Sequence, residues 1–324
     1  MRAYLGVDVG SVSTNFVLID DQGKLLDSLY IRTMGQPIQA IQAGLKAMEK
    51  QIPSSLTVVG AGATGSARQL TGGIIGADIV KNEITAHAVA AMHCVPDVQT
   101  VLELGGQDSK LIVIRDGVVV DFAMNTVCAA GTGSFLDHQA ARLGIPIEEF
   151  GGLALQSKQP VRIAGRCSVF AESDMVHKQQ MGHKTPDIIA GLCDALVRNY
   201  LNNVGKGKSI MAPVVFQGGV AANQGIRHAF EKELGVPVII PEYFGVMGAL
   251  GIAILAKEHV SSGKRTCFRG FGASELQFMT RSFECNGCPN QCEIVEIRQD
   301  KLILARWGDR CHKWQDTIHS GAVS

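Results

Sequence analysis

The arrangement of apolar positions along the chain predicts two similar groups of β-strands. In the first group, three strands are joined by short turns rich in Gly, Ser and Asp. These strands are predicted at residues 4–9, 15–19 and 24–30. A second meander of the same design follows about a hundred residues later, at residues 100–104, 110–114 and 118–123. The repeat predicts a duplicated α/β fold with two lobes that face each other.

Apolar residues spaced three or four positions apart predict the helices, and short continuous apolar runs predict the remaining strands. The helices are predicted at residues 37–50, 83–92, 134–143, 147–155, 186–203 and 245–258. The further strands are predicted at residues 56–60, 213–216 and 237–240, the first of them followed by a small-residue loop at 61–65. We divide the chain into lobe I at 1–97, completed by the helix 245–258, lobe II at 98–244 and a cysteine-rich tail at 262–324.

Composition is typical of a globular chain large enough for two cores. Of the 324 residues 46% are hydrophobic, and no apolar run approaches the length of a membrane span. The N-terminus reaches Asp8 before the hydrophobic region of a signal peptide develops. Thirty basic residues balance thirty acidic ones, so no overall field would recruit nucleic acid or an anionic membrane. We therefore expect a cytoplasmic protein.

The turn after the first strand carries a candidate phosphate site. Asp8 stands at the end of that strand, and Gly10, Ser11 and Ser13 occupy the hairpin that follows. A carboxylate in this place can hold Mg²⁺ or its waters, while backbone N–H and hydroxyl groups bind phosphate oxygens. The strand turns back instead of entering a helix, which argues against a dinucleotide-binding entry. A tight hairpin with a solvated aspartate is the structural alternative.

The second meander repeats this hairpin with Gly105, Gly106, Gln107 and Asp108. Asp108 is a candidate to bind Mg²⁺ through water, and Gln107 is a candidate to orient an attacking water. A phosphoryl-transfer site requires both tasks. For Gln107, an ordinary turn residue is an equal alternative.

A third glycine-rich turn follows the predicted strand at 213–216. Paired glycines after a buried strand allow a base or a ribose to lie against the backbone. Gly218, Gly219 and Asn223 are therefore candidates for nucleotide binding.

Two cysteines in lobe II each precede a predicted helix. Cys128 lies in a run of small residues just before a glycine turn, and Cys167 stands at a second helix entry. A thiolate is favoured near the positive end of a helix, so both are candidate metal or cluster ligands. Two thiolates are half of a four-cysteine set, which a twofold dimer could complete. The rival interpretation is two unrelated structural cysteines.

The tail contains a dense cysteine cluster after a Gly/Ser/Lys linker. Cys285, Cys288 and Cys292 lie close together in sequence, and Cys311 is the natural fourth ligand. This spacing predicts a metal site, with zinc and an iron–sulfur cluster both open. No role is assigned to Cys267.

Five elements in order carry a resemblance to a known family. They are Gly6–Ser11, Leu104–Lys110, the Asn125–Gly133 stretch with Cys128, the Cys167 stretch and Phe216–Val220. Together, over roughly residues 1–258, the chain resembles the ATPase activators of 2-hydroxyacyl-CoA dehydratases and the ATPase subunits of benzoyl-CoA reductases. The family also includes activators of double-cubane cluster reductases.

The resemblance implies an actin/Hsp70/acetate-kinase fold and a homodimer with one bridging 4Fe-4S cluster, held by Cys128 and Cys167 of each subunit. It also implies an ATPase that binds ATP or ADP with Mg²⁺ between the lobes. ATP hydrolysis would drive transfer of a low-potential electron to a partner dehydratase or reductase. A ferredoxin or flavodoxin-like protein would supply the electron.

Two other functions remain as alternatives. A small-molecule kinase of the same fold would need a catalytic carboxylate over a closed substrate pocket, for which the sequence offers no clear candidate. A non-catalytic nucleotide-switched binding protein would retain ATP without releasing phosphate.

Overall fold

A computed structural model describes residues 1–53, 55–125, 131–164, 167–260 and 265–314. The chain divides into two compact units, Met1–Ala90 with Gly248–Ser324, and Ala91–Met247. Each unit has its own hydrophobic core. None of the helices in the described ranges combines the length and the apolar character that a bilayer span needs.

The elements are named here in chain order. The strands are β1 (Arg2–Val9), β2 (Ser13–Ile19), β3 (Leu25–Arg32), β4 (Thr57–Thr64), β5 (Ile79–Val80), β6 (Thr100–Leu104), β7 (Ser109–Arg115), β8 (Val118–Met124), β9 (Val214–Gln217), β10 (Val238–Ile239), β11 (Met279–Glu284), β12 (Glu293–Gln299) and β13 (Leu302–Trp307). The α-helices are α1 (Pro37–Gln51), α2 (Arg68–Ile75), α3 (Glu83–Cys94), α4 (Gly133–Leu143), α5 (Ile147–Ala154), α6 (Ser168–Gln180), α7 (Thr185–Asn203), α8 (Gln224–Leu234) and α9 (Met247–Val260).

The first unit is built on a five-stranded sheet in the order β3-β2-β1-β4-β5. Strands β1 to β3 form an antiparallel meander, and β4 and β5 extend the sheet in parallel. Helix α9 lies very close to this sheet because small residues face it. A Cβ added to Gly62 would stand 2.7 Å from the Ile252 carbonyl oxygen, and one on Gly6 would overlap the Ala249 carbonyl. The glycines therefore permit the close helix–sheet contact.

The second unit repeats this architecture. Its sheet has the order β10-β9-β6-β7-β8, so the meander β6 to β8 corresponds to β1 to β3, and the parallel strands β9 and β10 correspond to β4 and β5. Aromatic rings fill its core, where Phe230 meets Tyr200 and Phe216 edge to face at 5.3 and 5.2 Å. The predicted duplicated α/β fold is confirmed.

The structure corrects one local prediction. Strand β4 continues to Thr64, so most of the loop predicted at 61–65 is strand. Alanine and glycine have a low strand propensity, but pairing with β1 on one side and β5 on the other holds these residues in the sheet. Helix α2 and strand β5 follow this segment and have no counterpart in the sequence-based prediction.

The tail forms a second, three-stranded antiparallel sheet in the order β11-β12-β13. Ile297 of β12 is fully buried in the core of the first unit, where Gly73 of α2 leaves room for it. Asp78 fixes the start of the tail, since its carboxylate accepts hydrogen bonds from the Thr266 hydroxyl and the Cys267 amide, each at 2.7 Å. The tail sheet is thus part of the first unit's packing.

Candidate functional site

The first candidate hairpin holds the Asp8 carboxylate between glycines. Asp8 lies near the end of β1, and the Gly10 amide donates to the Ser13 carbonyl at 2.9 Å to close the turn that also contains Ser11. A Cβ on Gly65 or on Gly248 would overlap the carboxylate oxygens of Asp8. These two glycines therefore leave the space that the carboxylate occupies.

The second candidate hairpin joins β6 to β7. The Gly105 amide donates to the Asp108 carbonyl at 2.9 Å, which closes the turn. Gln107 is exposed at its tip, and the Asp108 side chain is about half exposed, at 45%. The hairpin thus presents an amide and a carboxylate to solvent.

A buried lysine stands behind this hairpin. The Lys110 ammonium lies 2.9 Å from Glu103 Oε2 and 2.8 Å from Asp108 Oδ2, and its side chain is only 3% exposed. Burial raises the pKa of Glu103, while the Lys110 ammonium opposes that shift. The arrangement ties one oxygen of Asp108 to a fixed positive charge.

Neighbouring groups fix the cluster of Glu103, Asp108 and Lys110, called the charge cluster below, in place. The Tyr200 hydroxyl donates to the Lys110 carbonyl at 2.7 Å. Gly218, with φ 90°, passes so close to β6 that a Cβ would overlap the Leu104 carbonyl and stand 2.9 Å from Glu103 Oε1. The third glycine-rich turn is therefore packed directly against the charge cluster.

That third turn continues into a short 3₁₀ helix, Gly219–Ala222, and then into α8. The Asn223 carbonyl oxygen Oδ1 caps α8 by accepting from the Ile226 amide at 3.1 Å. Asn223 Nδ2 is buried and has no hydrogen-bond partner in the part of the chain that the structure describes. Gly219 has open space where a Cβ would stand. The turn thus leaves open space at Gly219, whereas the Asn223 donor is enclosed.

The second hairpin is hydrogen-bonded to both sides of the segment that contains Cys128. On the N-terminal side, the Ser109 amide donates to Asn125 Oδ1 at 2.7 Å, and the Asn125 amide returns a bond to the Ser109 carbonyl at 3.0 Å. On the C-terminal side, the Gly133 and Ser134 amides donate to the Gly105 and Gly106 carbonyls at 2.9 and 2.7 Å. Cys128 itself lies outside the described residues, as do its neighbours at 126–130.

Cys167 occupies the N-cap position of α6. Its backbone is extended, its side chain makes no cap hydrogen bond, and its thiol is partly buried. The first turn of α6 then exposes two large apolar side chains, Val169 at 66% and Phe170 at 68%. The thiol thus stands beside an apolar surface that the described chain leaves uncovered.

The tail cysteines lie at one end of the three-stranded sheet. Cys285 and Cys292 flank the turn between β11 and β12, and Cys288 lies within it. In the part of the chain that the structure describes, no three His, Cys, Asp or Glu side chains are arranged so that they could hold a metal ion. The tail metal site therefore remains a prediction.

Two residues of the second hairpin region were not assigned a role from the sequence. Glu103 and Lys110 are buried, and both contribute directly to the charge cluster around Asp108. Glu103 had a detectable signal, because it interrupts an apolar strand that is buried along its whole length. A carboxylate in such a strand requires a cation, and Lys110 faces it across the β6–β7 ladder.

Comparisons with known proteins place these features in a family. A model described as the BadF/BadG/BcrA/BcrD ATPase family matches residues 5–256. The (R)-2-hydroxyglutaryl-CoA dehydratase activating ATPase of Acidaminococcus fermentans is 36% identical over 260 residues, 78% of this chain and 96% of that protein. The activator of lactoyl-CoA dehydratase from Anaerotignum propionicum is 34% identical over 260 residues, 78% of this chain and 97% of that protein.

Solved structures agree with this placement. The (R)-2-hydroxyglutaryl-CoA dehydratase component A from Acidaminococcus fermentans superimposes with a TM-score of 0.73 at 31% identity, covering 81% of this chain and all of that one. The 2-hydroxyisocaproyl-CoA dehydratase activator from Clostridium difficile, with bound ADPNP, gives 0.72 at 27% identity over 80% of this chain and 96% of that one. The predicted actin/Hsp70-like fold class is confirmed. The chain belongs to the BadF/BadG/BcrA/BcrD ATPase family.

Proposed function

We propose that this protein is an ATP-dependent reductive activator. In this role, it hydrolyses ATP to drive transfer of one low-potential electron to a partner dehydratase or reductase. Its relatives named as dehydratase activators support this class of partner. A benzoyl-CoA reductase component from Thauera aromatica, 30% identical over 47% of this chain, supports it as well. A ferredoxin or flavodoxin-like protein is the proposed electron donor.

The observation that carries the proposal is the hydrogen bonding between the second hairpin and the Cys128 segment. Asn125 is tied to Ser109 on one side, and α4 is tied through Gly133 to Gly105 on the other. A hairpin that changes with the nucleotide would therefore move both ends of the segment that contains Cys128. Only a nucleotide with different affinity for the two arrangements can bias them.

Each of the three turns contributes residues to the proposed nucleotide binding. In the first unit, Asp8 would bind Mg²⁺ or its waters, and Gly10, Ser11 and Ser13 would bind phosphate oxygens. In the second unit, Asp108 would bind Mg²⁺ or its waters, Gly105 and Gly106 would bind phosphate oxygens, and the exposed Gln107 amide would orient the attacking water. Gly218, Gly219 and Asn223 are the proposed contacts to the nucleoside, and the open space at Gly219 supports this assignment.

Cys128 and Cys167 are the proposed ligands of a 4Fe-4S cluster. Cys167 fits this role in chemistry and placement, because its thiol is at a helix N-terminus and is not engaged in capping. When bound, such a cluster supplies a one-electron carrier whose potential depends on exposure and on hydrogen bonds to sulfur.

Two cysteines per chain require a second copy to complete a four-thiolate set. Val169 and Phe170 supply an argument for that copy, since they expose apolar surface directly after Cys167. In a homodimer, these side chains would exclude water around the paired thiolates. The apolar side chains beside Cys167 thus support the proposal of a shared cluster site.

The proposal is tested by anaerobic purification of the full chain and of a Cys167→Ala variant, with Cys94→Ala as a matched control because Cys94 is also a partly buried thiol. We expect about four iron atoms per dimer in the cluster, retained in the control and lost in the Cys167 variant. Full iron and an unchanged dimer after the Cys167 substitution would refute the cluster assignment.

Nucleotide assays separate the alternatives. The activator releases phosphate without a phosphorylated acceptor. A phosphorylated sugar or carboxylate product would instead favour a small-molecule kinase. ATP retained without phosphate release would favour a nucleotide-switched binding protein.

A further inference from the structure

The connection between α5 and α6 lies along one side of helix α7. The Val161 amide donates to the carbonyl of Asp187, in the first turn of α7, at 3.1 Å. One turn later Gly191 permits a close approach, because a Cβ there would overlap the Val161 carbonyl. Further along the helix, the Arg198 guanidinium donates to the Ile163 carbonyl at 3.0 Å. Three contacts therefore hold this connection against α7.

A carboxylate fixes the turn that leads into this connection. Asp187 Oδ1 accepts a hydrogen bond from the Ser157 hydroxyl at 2.7 Å and from the Lys158 and Gln159 amides, each at 3.0 Å. The same residue therefore anchors the turn through its side chain and the start of the connection through its carbonyl. Pro160, directly after the turn, is held at a defined place beside α7.

Helices α7 and α8 form the other walls of a pocket. Asp194 and Arg198 are four positions apart on α7, so they project from the same face of the helix. Lys232 of α8 reaches this face, with its Nζ 2.9 Å from Asp194 Oδ2. The pocket has a volume of about 320 Å³, at the lower end of the range for small-molecule sites. It is lined by Pro160, Val161, Arg162, Asp194, Arg198 and Lys232.

The charges that line this pocket do not balance. Three of its described lining residues are cationic, and the one carboxylate among them, Asp194, is paired with Lys232. The guanidinium groups of Arg162 and Arg198 therefore face the pocket without a carboxylate of their own there. Arg162 makes no hydrogen bond or ion pair within the ranges that the structure describes. Two positive charges are thus left uncompensated in one small cavity.

We propose that this pocket binds a small dianion through Arg162 and Arg198, with the negative charges of the ligand on phosphate or carboxylate oxygens. Two uncompensated guanidinium charges match two negative charges. The paired N–H donors of a guanidinium suit the oxygens of both groups. Lys232 contributes less, because Asp194 already holds it.

Part of the site is already in place before a ligand binds. Arg198 is partly buried, and its bond to the Ile163 carbonyl holds the guanidinium at the pocket wall. Less conformational freedom is then lost on binding than for a fully mobile side chain. None of the six lining residues belongs to the three turns proposed for the nucleotide, so the site is separate from the nucleotide site.

The test is isothermal titration calorimetry of the full chain saturated with ADPNP and Mg²⁺, so that the proposed nucleotide site is occupied. The probes are inorganic phosphate and succinate, each at mildly alkaline pH, where both carry two negative charges. We expect at least one probe to bind at one molecule per chain. The probe that binds more tightly identifies whether phosphate or carboxylate is the preferred group.

Arg162→Ala is the main variant, because Arg162 is exposed and loses no contact within the described chain. It should weaken binding about 10-fold, the loss expected for a hydrogen bond to a charged group. Arg198→Ala should do the same, with its folding checked by far-UV circular dichroism because it also gives up the bond to Ile163. Lys206→Ala is the control, since it removes an exposed positive charge of the same unit outside the pocket.

Asp194→Asn gives a result of the opposite sign. It frees the Lys232 charge and removes the carboxylate, so the dianion should bind roughly 2- to 5-fold more tightly, in line with the strength of exposed ion pairs. Binding of neither probe to the parent chain would overturn the proposal. Binding that Arg162→Ala leaves unchanged, or that Lys206→Ala weakens equally, would overturn it as well.

Discussion

Asn125 and Ser109 hold each other by two hydrogen bonds, one from the Ser109 amide to Asn125 Oδ1 at 2.7 Å and one from the Asn125 amide to the Ser109 carbonyl at 3.0 Å. Ser109 ends the second candidate phosphate hairpin, and Asn125 directly precedes the segment with Cys128. The pair therefore joins the region proposed to sense the nucleotide to the region proposed to hold the cluster.

Asn125→Ala removes the side-chain bond of this pair, together with the long 3.5 Å bond from Asn125 Nδ2 to the Gln107 carbonyl, and leaves the backbone bond. A hydrogen bond of this kind contributes about 1 kcal/mol, so we expect ATP-dependent electron transfer to fall roughly 5-fold while ATP hydrolysis changes little. Both rates are measured with the same preparation. Asn203→Ala is the control, because Asn203 bonds only to Asn199 within α7 among the contacts that the structure describes. Equal loss of both activities would contradict a coupling role.

Lys110 is expected to matter for both stability and hydrolysis. Lys110→Met leaves Glu103 buried without its cation, and loss of one partner of a buried ion pair costs about 3–5 kcal/mol. The free energy of unfolding, measured in urea, should fall accordingly. ATP hydrolysis should fall as well, because Asp108 loses the charge that orients it.

The double variant Glu103→Gln/Lys110→Met separates the two effects. It removes the uncompensated charge, so most of the unfolding free energy should return, whereas Asp108 stays unanchored and ATP hydrolysis stays low. Recovery of hydrolysis together with stability would show that Lys110 serves only the fold.

The sequence was sufficient to predict the two meanders because their alternating apolar residues and turn residues are local signals. The continuation of β4 to Thr64 could not be predicted, because its Ala and Gly residues have a low strand propensity. Only pairing with β1 and β5 makes that segment a strand. The tail sheet had a weaker signal in the β-branched residues Ile294, Val295 and Ile297, but the cysteine spacing favoured a metal loop alone.

The candidate site likewise contains some residues that the sequence alone identifies and some relationships that only the fold creates. Asp8 and the glycine hairpins were recognisable because turn chemistry is encoded in adjacent residues. The Lys110–Glu103 pair depends on the β6–β7 register, and the hydrogen bonds between the second hairpin and Asn125 depend on the end of β8. Neither relation follows from local spacing, because each joins residues that only the folded sheet brings together.

Asp8→Asn tests the first hairpin. The substitution keeps the shape of the side chain in the space left by Gly65 and Gly248 but removes its charge. We expect Mg²⁺-dependent ATP hydrolysis to fall roughly 10–100-fold, a range typical for groups that hold a metal through water. The cluster spectrum should be unchanged, and Asp27→Asn in β3 should behave as wild type. Loss of the cluster would mean that Asp8 is structural.

Asp78→Ala tests how the tail is attached to the first unit. The carboxylate accepts from the Ala61 and Cys267 amides and from the Thr266 hydroxyl, so its removal leaves polar groups unsatisfied at a cost of about 1–3 kcal/mol. Limited proteolysis should then release the tail faster. Glu275→Ala, which breaks only the exposed ion pair with Lys46, should change the cleavage rate little. Equal cleavage of the two variants would contradict an anchoring role for Asp78.

Oxidation of the reduced protein, followed under anaerobic conditions, is the most direct test of ATP-driven electron transfer. The chemically reduced activator is mixed with a 2-hydroxyacyl-CoA dehydratase in stopped flow, with Mg²⁺-ATP in one reaction and a non-hydrolysable ATP analogue in the other. We expect the cluster absorbance to report transfer of one electron per dimer, and we expect sustained transfer only with hydrolysable ATP. Electron transfer at the same rate without ATP hydrolysis would contradict ATP-driven electron transfer. ATP hydrolysis that never oxidises the reduced protein, whichever dehydratase or reductase of this class is added, would contradict it as well.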